Sequence, residues 1–423
     1  MEPLAPADAA WLRMDRPENP MVIAGLFRFA GFLEPERARA LLDERLLPLP
    51  RFRQRVVDRG GLRHLPAWDE DPAFDLDRHL VPLALPEGAG EDALHALVDD
   101  LLSTPLDRAH PLWQLHLIEA PGRGSVLFCR LHHCIADGAA LMRVLLSLCE
   151  EEPSAATVVP RLPASAQEPT PEGPRRRGRV RETASYGKAL GRLVALPPDP
   201  TSRFKGALSI HKRAAWSPPL PLDEVKALAH AHDATLNDVL MSATAGAMRR
   251  YLLSRGDDVE DLGAMVPVDL RATEEPLSLG NRFGLVVLSL PLEIDAPRAR
   301  LDEVKRRMER LKRSPEAVVA LGVLRAVGRL SPLLEDLVVR FFASKSSVVL
   351  TNMRGPSQKL YFAGAPIERF VFWVPESGRI ALGVSLLSYR GEVMVGVRCD
   401  ASRVPDPSAL VSAFVDELDA LRR

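Results

Sequence analysis

Two adjacent histidines, His132 and His133, precede Asp137 and Gly138 in the stretch HHCIADG, in a chain with only 10 histidines among 423 residues. A histidine near its ordinary pKa can take a proton from a hydroxyl and return it to a leaving group, so the pair points to general-base chemistry. Two other readings stand beside it. The rings could be satisfied core histidines, or His132, His133 and Asp137 could ligate a metal. Adjacent side chains on an extended segment face opposite ways, and no further HExxH-like motif occurs, which counts against a metal. By chance the full HHxxxDG pattern arises in on the order of one chain in a thousand of this size, which lifts catalysis above packing. No metal or other cofactor is expected.

Chemistry of this kind needs rigid support on both sides of the loop. Before the motif, Ser125–Leu131 is a β-prone run; after it, Ala139–Cys149 carries apolar residues at helical spacing. The same reading predicts helices over Pro35–Leu47 and Glu91–Leu102, and strands over Phe27–Phe29 and Trp113–Ile118. Farther on it predicts helices over Leu222–Ala231, Thr235–Ser254, Ala299–Lys312, Pro315–Arg329, Leu333–Phe342 and Pro407–Leu421. Strands are predicted over Gly284–Leu292, Ser347–Thr351, Phe370–Val374, Ile380–Tyr389 and Glu392–Val397. Each half mixes strands and helices without strict βαβ alternation, which implies an α/β or α+β fold in two parts.

A chain of 423 residues suggests two domains. The boundary falls in residues 151–183, rich in proline and small residues with no sustained apolar period, leaving domains over 1–150 and 184–423. The linker's arginines (Arg175, Arg176, Arg177, Arg179, Arg181) read as a solvated charge run, or as a patch for an anionic surface. With 55 basic and 56 acidic residues, overall charge gives no argument for nucleic acid. The 4 cysteines lie in or beside apolar runs without CxxC spacing, as reduced, packed thiols of a cytoplasmic protein do. Neither a signal peptide nor a membrane-spanning run is visible.

HHCIADG resembles the active-site motif of the superfamily that holds chloramphenicol acetyltransferase, carnitine acyltransferases and nonribosomal condensation domains. More narrowly, the chain resembles the bacterial wax ester synthase/diacylglycerol acyltransferase family. Leu4–Pro20 (LAPADAAWLRMDRPENP) is similar to that family's opening segment, Pro111-Leu112-Trp113 to its PLW motif, and Asn237-Asp238 to its ND motif. Thr351–Pro356 (TNMRGP) resembles a late segment ending in Gly-Pro. One departure is Met21-Val22, where family members often carry Met-His.

The resemblance implies two chloramphenicol acetyltransferase-like domains, each a mixed sheet with helices, with the active-site channel between them. It implies transfer of a long acyl group from acyl-CoA, as co-substrate, to the hydroxyl of diacylglycerol or a fatty alcohol. His133 would be the general base, and no acyl-enzyme would form. A carrier-protein thioester donor, another alcohol acceptor, or a non-catalytic lipid-binding relative are the alternatives. Asp137 is expected to hold the loop, through an arginine such as Arg271, and Gly138 to leave backbone room or simply to turn the chain. His132 reads as a packed loop residue, and Pro111, Leu112 and Trp113 as the start of a buried strand. Thr235 and Asp238 have capping-box spacing, which makes Asp238 structural, while Asn237 and Asn352 are candidates for contact with substrate or oxyanion. The apolar segment Pro315–Phe342 could dock a membrane or lipid droplet, or pack on the core as amphipathic helices.

Overall fold

The computed structural model describes residues 1–60, 65–120, 124–152, 197–271, 279–312, 343–376 and 378–423, with isolated positions between them. The expected linker beyond Glu152 and most of the segment 315–342 lie outside the described residues.

Apolar strands assemble two seven-stranded mixed sheets. The first runs β5 (Leu80–Ala84), β6 (Trp113–Ala120), β7 (Gly124–His132), β2 (Val22–Phe29), β15 (Ala365–Trp373), β14 (Tyr361–Phe362) and β8 (Cys149–Glu150). The second follows β10 (Leu220–Pro221), β17 (Glu392–Asp400), β16 (Leu382–Tyr389), β13 (Val348–Arg354), β11 (Leu262–Asp269) and β12 (Phe283–Leu290). There β9 (Lys212–Trp216) also pairs with β17, and β13 lies parallel to both neighbours. A small third sheet orders β1 (Glu2–Pro3), β4 (Ala67–Glu70) and β3 (Gln54–Val57). Strands β14 and β15, from the region that the sequence assigns to the C-terminal domain, lie in the N-terminal sheet. Residues Phe370, Val371 and Phe372 pair there with Phe27, Leu26 and Gly25 of β2.

Helices cover the sheets where their apolar stripes require it. The first sheet's main core takes in residues of α1 (Pro6–Met14), α2 (Pro35–Arg45) and α4 (Gly138–Ser147). A smaller core holds α3 (Glu91–Ser103) through Leu94, Val98 and Leu102, together with Ile118, Phe128 and Trp373. The second sheet's core includes α5 (Leu222–Ala231), α6 (Leu236–Ser254), α7 (Pro297–Lys312) and α8 (Pro407–Arg422). Here α5 begins and ends where the apolar period does. Thr235 caps α6, its hydroxyl accepting from the Asp238 N–H at 3.2 Å while Asp238 Oδ2 accepts from the Thr235 N–H at 2.9 Å. All four cysteines are free thiols, three of them buried.

Buried polar groups stitch the halves together. Lys212 Nζ donates to Asp400 Oδ2 at 2.9 Å and to the Glu18 carbonyl at 2.8 Å, with both ionised side chains fully buried. Arg398 Nη1 donates to the Val22 carbonyl at 2.8 Å. Asp99 and Ser103 of α3 accept from the Ala214 and Lys212 N–H groups at 2.7 and 2.8 Å. The sheets also touch directly at Gly396, where a Cβ would fall 2.5 Å from the Phe372 carbonyl oxygen. Gly396→Ala is therefore expected to cost about 1–3 kcal/mol through overpacking, read as a lower urea midpoint with unchanged slope.

Candidate active site

Strand β7 ends at His132, and the chain then turns sharply. The Ile135 N–H donates to the His132 carbonyl at 3.0 Å, and the His133 N–H to the Met21 carbonyl at 2.8 Å. Asp137 is the N-cap of α4, with Oδ1 accepting from the Ala140 N–H at 2.9 Å. The rest of the support comes from the C-terminal half. The Gly280 N–H donates to the Ile135 carbonyl at 3.0 Å, and the Arg282 N–H to Asp137 Oδ2 at 2.9 Å. Arg271 Nη1 lies 2.7 Å from Asp137 Oδ2, and its Nη2 donates to the Gly280 carbonyl at 2.8 Å.

His133 is buried between aromatic rings. Trp11 of α1 stacks on it with centroids 4.0 Å apart and planes 13° apart, and Phe283 at the start of β12 lies 5.7 Å away. Burial pulls its pKa down to about 4, which the Asp137 charge opposes and neighbouring His132 assists. At neutral pH the ring is therefore an uncharged imidazole, the form that accepts a proton.

His133, Asp137 and Gly138 line one cavity of about 160 Å³ with Asn352 and Met353 of β13. Trp11, Ile23, Met265 and Phe372 make its wall largely apolar. A Cβ on Gly138 would meet nothing nearer than Met353 Sδ at 3.9 Å, so the glycine leaves open space in the cavity it shares with His133. Asn237 joins through Asn352, whose Nδ2 donates to Asn237 Oδ1 at 2.8 Å.

The remaining motif residues sit elsewhere. His132 accepts the Cys134 N–H on Nδ1 at 3.0 Å and places Nε2 3.7 Å from Asp15. Burial alone would raise the Asp15 carboxyl, but His132 and Arg108 outweigh it and hold its pKa at about 2. With Leu112, His132 faces a separate cavity of about 340 Å³. Trp113 is fully buried at the start of β6, stacks on His79 and donates Nε1 to the Phe52 carbonyl at 2.9 Å. Asp238 is buried in its helix cap, and Pro111 precedes β6. Among the described residues no three His, Cys, Asp or Glu side chains converge as ion ligands.

The sequence reading does not single out Trp11, Asn281 or Phe283 as site residues, although each adjoins His133. Trp11 stands inside the quoted opening segment, and Gly280-Asn281 precedes an apolar strand, the only local signals either carries.

The family model for the wax ester synthase/diacylglycerol acyltransferase catalytic domain matches residues 4–240, and that for the WS/DGAT C-terminal domain residues 279–422. A Mycobacterium tuberculosis protein named probable diacylglycerol O-acyltransferase is 29% identical over 402 residues, spanning 90% of this chain and 86% of its own. The O-acyltransferase WSD of Acinetobacter baylyi is 25% identical, covering 99% and 96% of the two chains. The solved wax ester synthase/diacylglycerol acyltransferase of Marinobacter aquaeolei superposes with a TM-score of 0.74 at 26% identity, over 99% and 98% of the chains. The first condensation domain of the calcium-dependent antibiotic synthetase shares the fold alone, with a TM-score of 0.66 at 16% identity over 99% and 95%. With both domain models matched in order along the chain, this protein belongs to the wax ester synthase/diacylglycerol acyltransferase family.

Proposed function

We propose that the protein is an O-acyltransferase that moves a long-chain acyl group from acyl-CoA to the hydroxyl of diacylglycerol, of a fatty alcohol, or of both. One observation carries the reading: a neutral, ring-stacked histidine shares a largely apolar cavity with an asparagine amide. His133 takes the proton of the acceptor hydroxyl as its oxygen attacks the thioester carbon. The resulting oxyanion needs a donor, and Asn352 supplies one, since one of its two amide hydrogens goes to Asn237 and the other is available to the cavity. Collapse breaks the carbon–sulfur bond, and the CoA thiolate takes the proton back from His133. No side chain carries the acyl group, and no cofactor enters the scheme. A cavity of about 160 Å³ holds the reacting atoms rather than whole chains, so the acyl tail and the acceptor extend beyond it.

Acceptors of this kind partition into lipid, so the enzyme works at the edge of a membrane or lipid droplet. Among the described residues no helix is long and apolar enough to cross a membrane. The deciding assay offers palmitoyl-CoA with diacylglycerol and with a fatty alcohol separately, and measures product ester and free CoA together. Release of CoA without ester, or a radiolabelled acyl group that stays on the denatured protein, would refute direct transfer.

His133→Ala is expected to lose on the order of 10²–10⁴-fold in rate while keeping the fold and acyl-CoA binding. His132→Ala should lose less, or fold poorly, because that ring is buried away from the cavity. A folded, inactive His132 variant beside a working His133 variant would reverse the assignment.

Because burial holds His133 near 4, kcat/KM should stay level from neutral pH down to about pH 5 and fall below it as the base protonates. Initial rates across buffers, with circular dichroism recorded at each pH, check this; an acid limb centred near the ordinary histidine pKa would contradict the buried base.

Asp137→Ala removes the α4 cap, the acceptor of the Arg282 N–H and one of the two carboxylates on Arg271, which keeps Asp269 and the Gly280 carbonyl, and should cost roughly 1–3 kcal/mol as well as rate. Asp137→Asn retains an acceptor for the helix cap and should keep part of the activity. A stably folded but inactive Asn variant would show that the charge itself takes part.

A further inference from the structure

The second sheet turns one face to the cavity. Along β11 the alternate residues Met265, Pro267 and Asp269 line it, while Leu262 and Ala264 point the other way, into the second sheet's core. Asp269 ends the strand. Among the described residues that line the cavity, only His133, Asp137 and Asp269 are ionisable. Asp137 commits both oxygens, to the Ala140 and Arg282 N–H groups and to Arg271. Asp269 commits only one. Its Oδ1 accepts the Arg271 N–H at 3.0 Å and Arg271 Nη1 at 3.2 Å. Its Oδ2 accepts nothing among the described residues, and the side chain is 37% exposed. A carboxylate oxygen with its acceptor capacity unused therefore belongs to a largely apolar wall.

Such an oxygen calls for a donor on the substrate. Acyl chains have none. Diacylglycerol and a fatty alcohol bring one hydroxyl each, and in the proposed reaction that proton goes to His133. The pantetheine arm of acyl-CoA brings amide N–H groups, the nearer one separated from the thioester sulfur by only an ethylene unit. The reach fits. Asp269 faces Phe283 across the β11–β12 register, and the Phe283 ring is 5.7 Å from His133, which puts the carboxylate roughly 10 Å from the imidazole. The nearer amide nitrogen lies roughly 5 Å from the thioester carbon and its hydrogen bond adds about 3 Å, so a carbon poised beside His133 spans that distance.

We propose that Asp269 is a specificity-determining residue whose Oδ2 accepts the N–H of the pantetheine amide nearest the thioester, so that the cavity selects acyl-CoA by its arm and turns the sulfur towards the end of β11. The inference rests on the reading of this cavity as the site of acyl transfer from acyl-CoA to an alcohol. A hydrogen bond from an amide to a carboxylate is charge-assisted and stronger than one between neutral groups. Arg271 holds Oδ1, so the carboxylate is oriented before the substrate arrives.

The test offers a fatty alcohol with each of two octanoyl thioesters, of N-acetylcysteamine and of O-acetylmercaptoethanol, which differ only in an N–H replaced by an ester oxygen. Wild type should favour the amide by roughly 10- to 100-fold in kcat/KM. Asp269→Ala should lose that preference, with the amide thioester falling by about the same factor and the oxygen analogue changed little. Asp269→Asn keeps an oxygen for Arg271 and presents an amide N–H to the substrate, so its preference should turn towards the ester oxygen. Equal use of both thioesters by wild type would overturn the assignment, whether or not the variants fold. So would an Asp269→Ala protein that loses activity equally towards both, the pattern of a residue that only props Arg271. Failure of wild type to form ester from either thioester or from palmitoyl-CoA would instead defeat the acyltransferase reading, and the assignment with it.

Discussion

The ion pair between Asp137 and Arg271 is the constraint on which the site depends. Both side chains are almost fully buried, at 5% and 1% exposed, so the cost of stripping water from two charges offsets much of their attraction. Its worth is geometric. One carboxylate starts α4, receives the Arg282 N–H and holds a guanidinium that also grips the Gly280 carbonyl. Three segments, at residues 137–140, 271 and 280–282, therefore meet at a residue four positions after His133. Without that junction His133 and Asn352, proposed to act together, would have no common frame.

The same burial sets a compromise in the chemistry. A largely apolar wall lines the cavity around the buried ring. Burial also lowers the pKa of His133, which keeps the ring neutral at rest but makes it a weaker proton acceptor in the proposed reaction. Trp11 eases this, because the face of an indole stabilises a cation stacked on it, and in the proposed reaction the ring is an imidazolium only during turnover. Asn352, which lines the cavity, and its partner Asn237 are neutral amides, so the donor proposed for the oxyanion adds no charge there.

What could be read in the sequence was what local pattern determines. Thr235-Leu-Asn-Asp238 spells a cap, and α6 starts there; Leu222–Ala231 carries an apolar period, and α5 has those ends. Only the last three residues of β2 stand out, because Val22–Leu26 is buried throughout and shows no alternation. Helix α1 is short and lacks a side-chain cap, β9 has only five residues and a buried lysine, and β11 contains Gly263 and Pro267, which argue against a strand. The site divides the same way. His133, Asp137, Gly138 and Asn352 stand in local motifs. Trp11, Asn281 and Phe283 gain their importance only from folding, and Gly280-Asn281 by itself reads as a turn.

The placement of β15 between β2 and β14 has a consequence for how the chain comes to exist at all. A ribosome delivers β2 and β7 early, but the partner that belongs on the far side of β2 emerges only after residue 373 has been made. Until then β2 has an open edge of unpaired amides and carbonyls, the kind of surface on which other chains aggregate. The first sheet is therefore completed only once β14 and β15 have been made. It waits for the last quarter of the polypeptide, so premature termination yields an incomplete sheet rather than a working fragment.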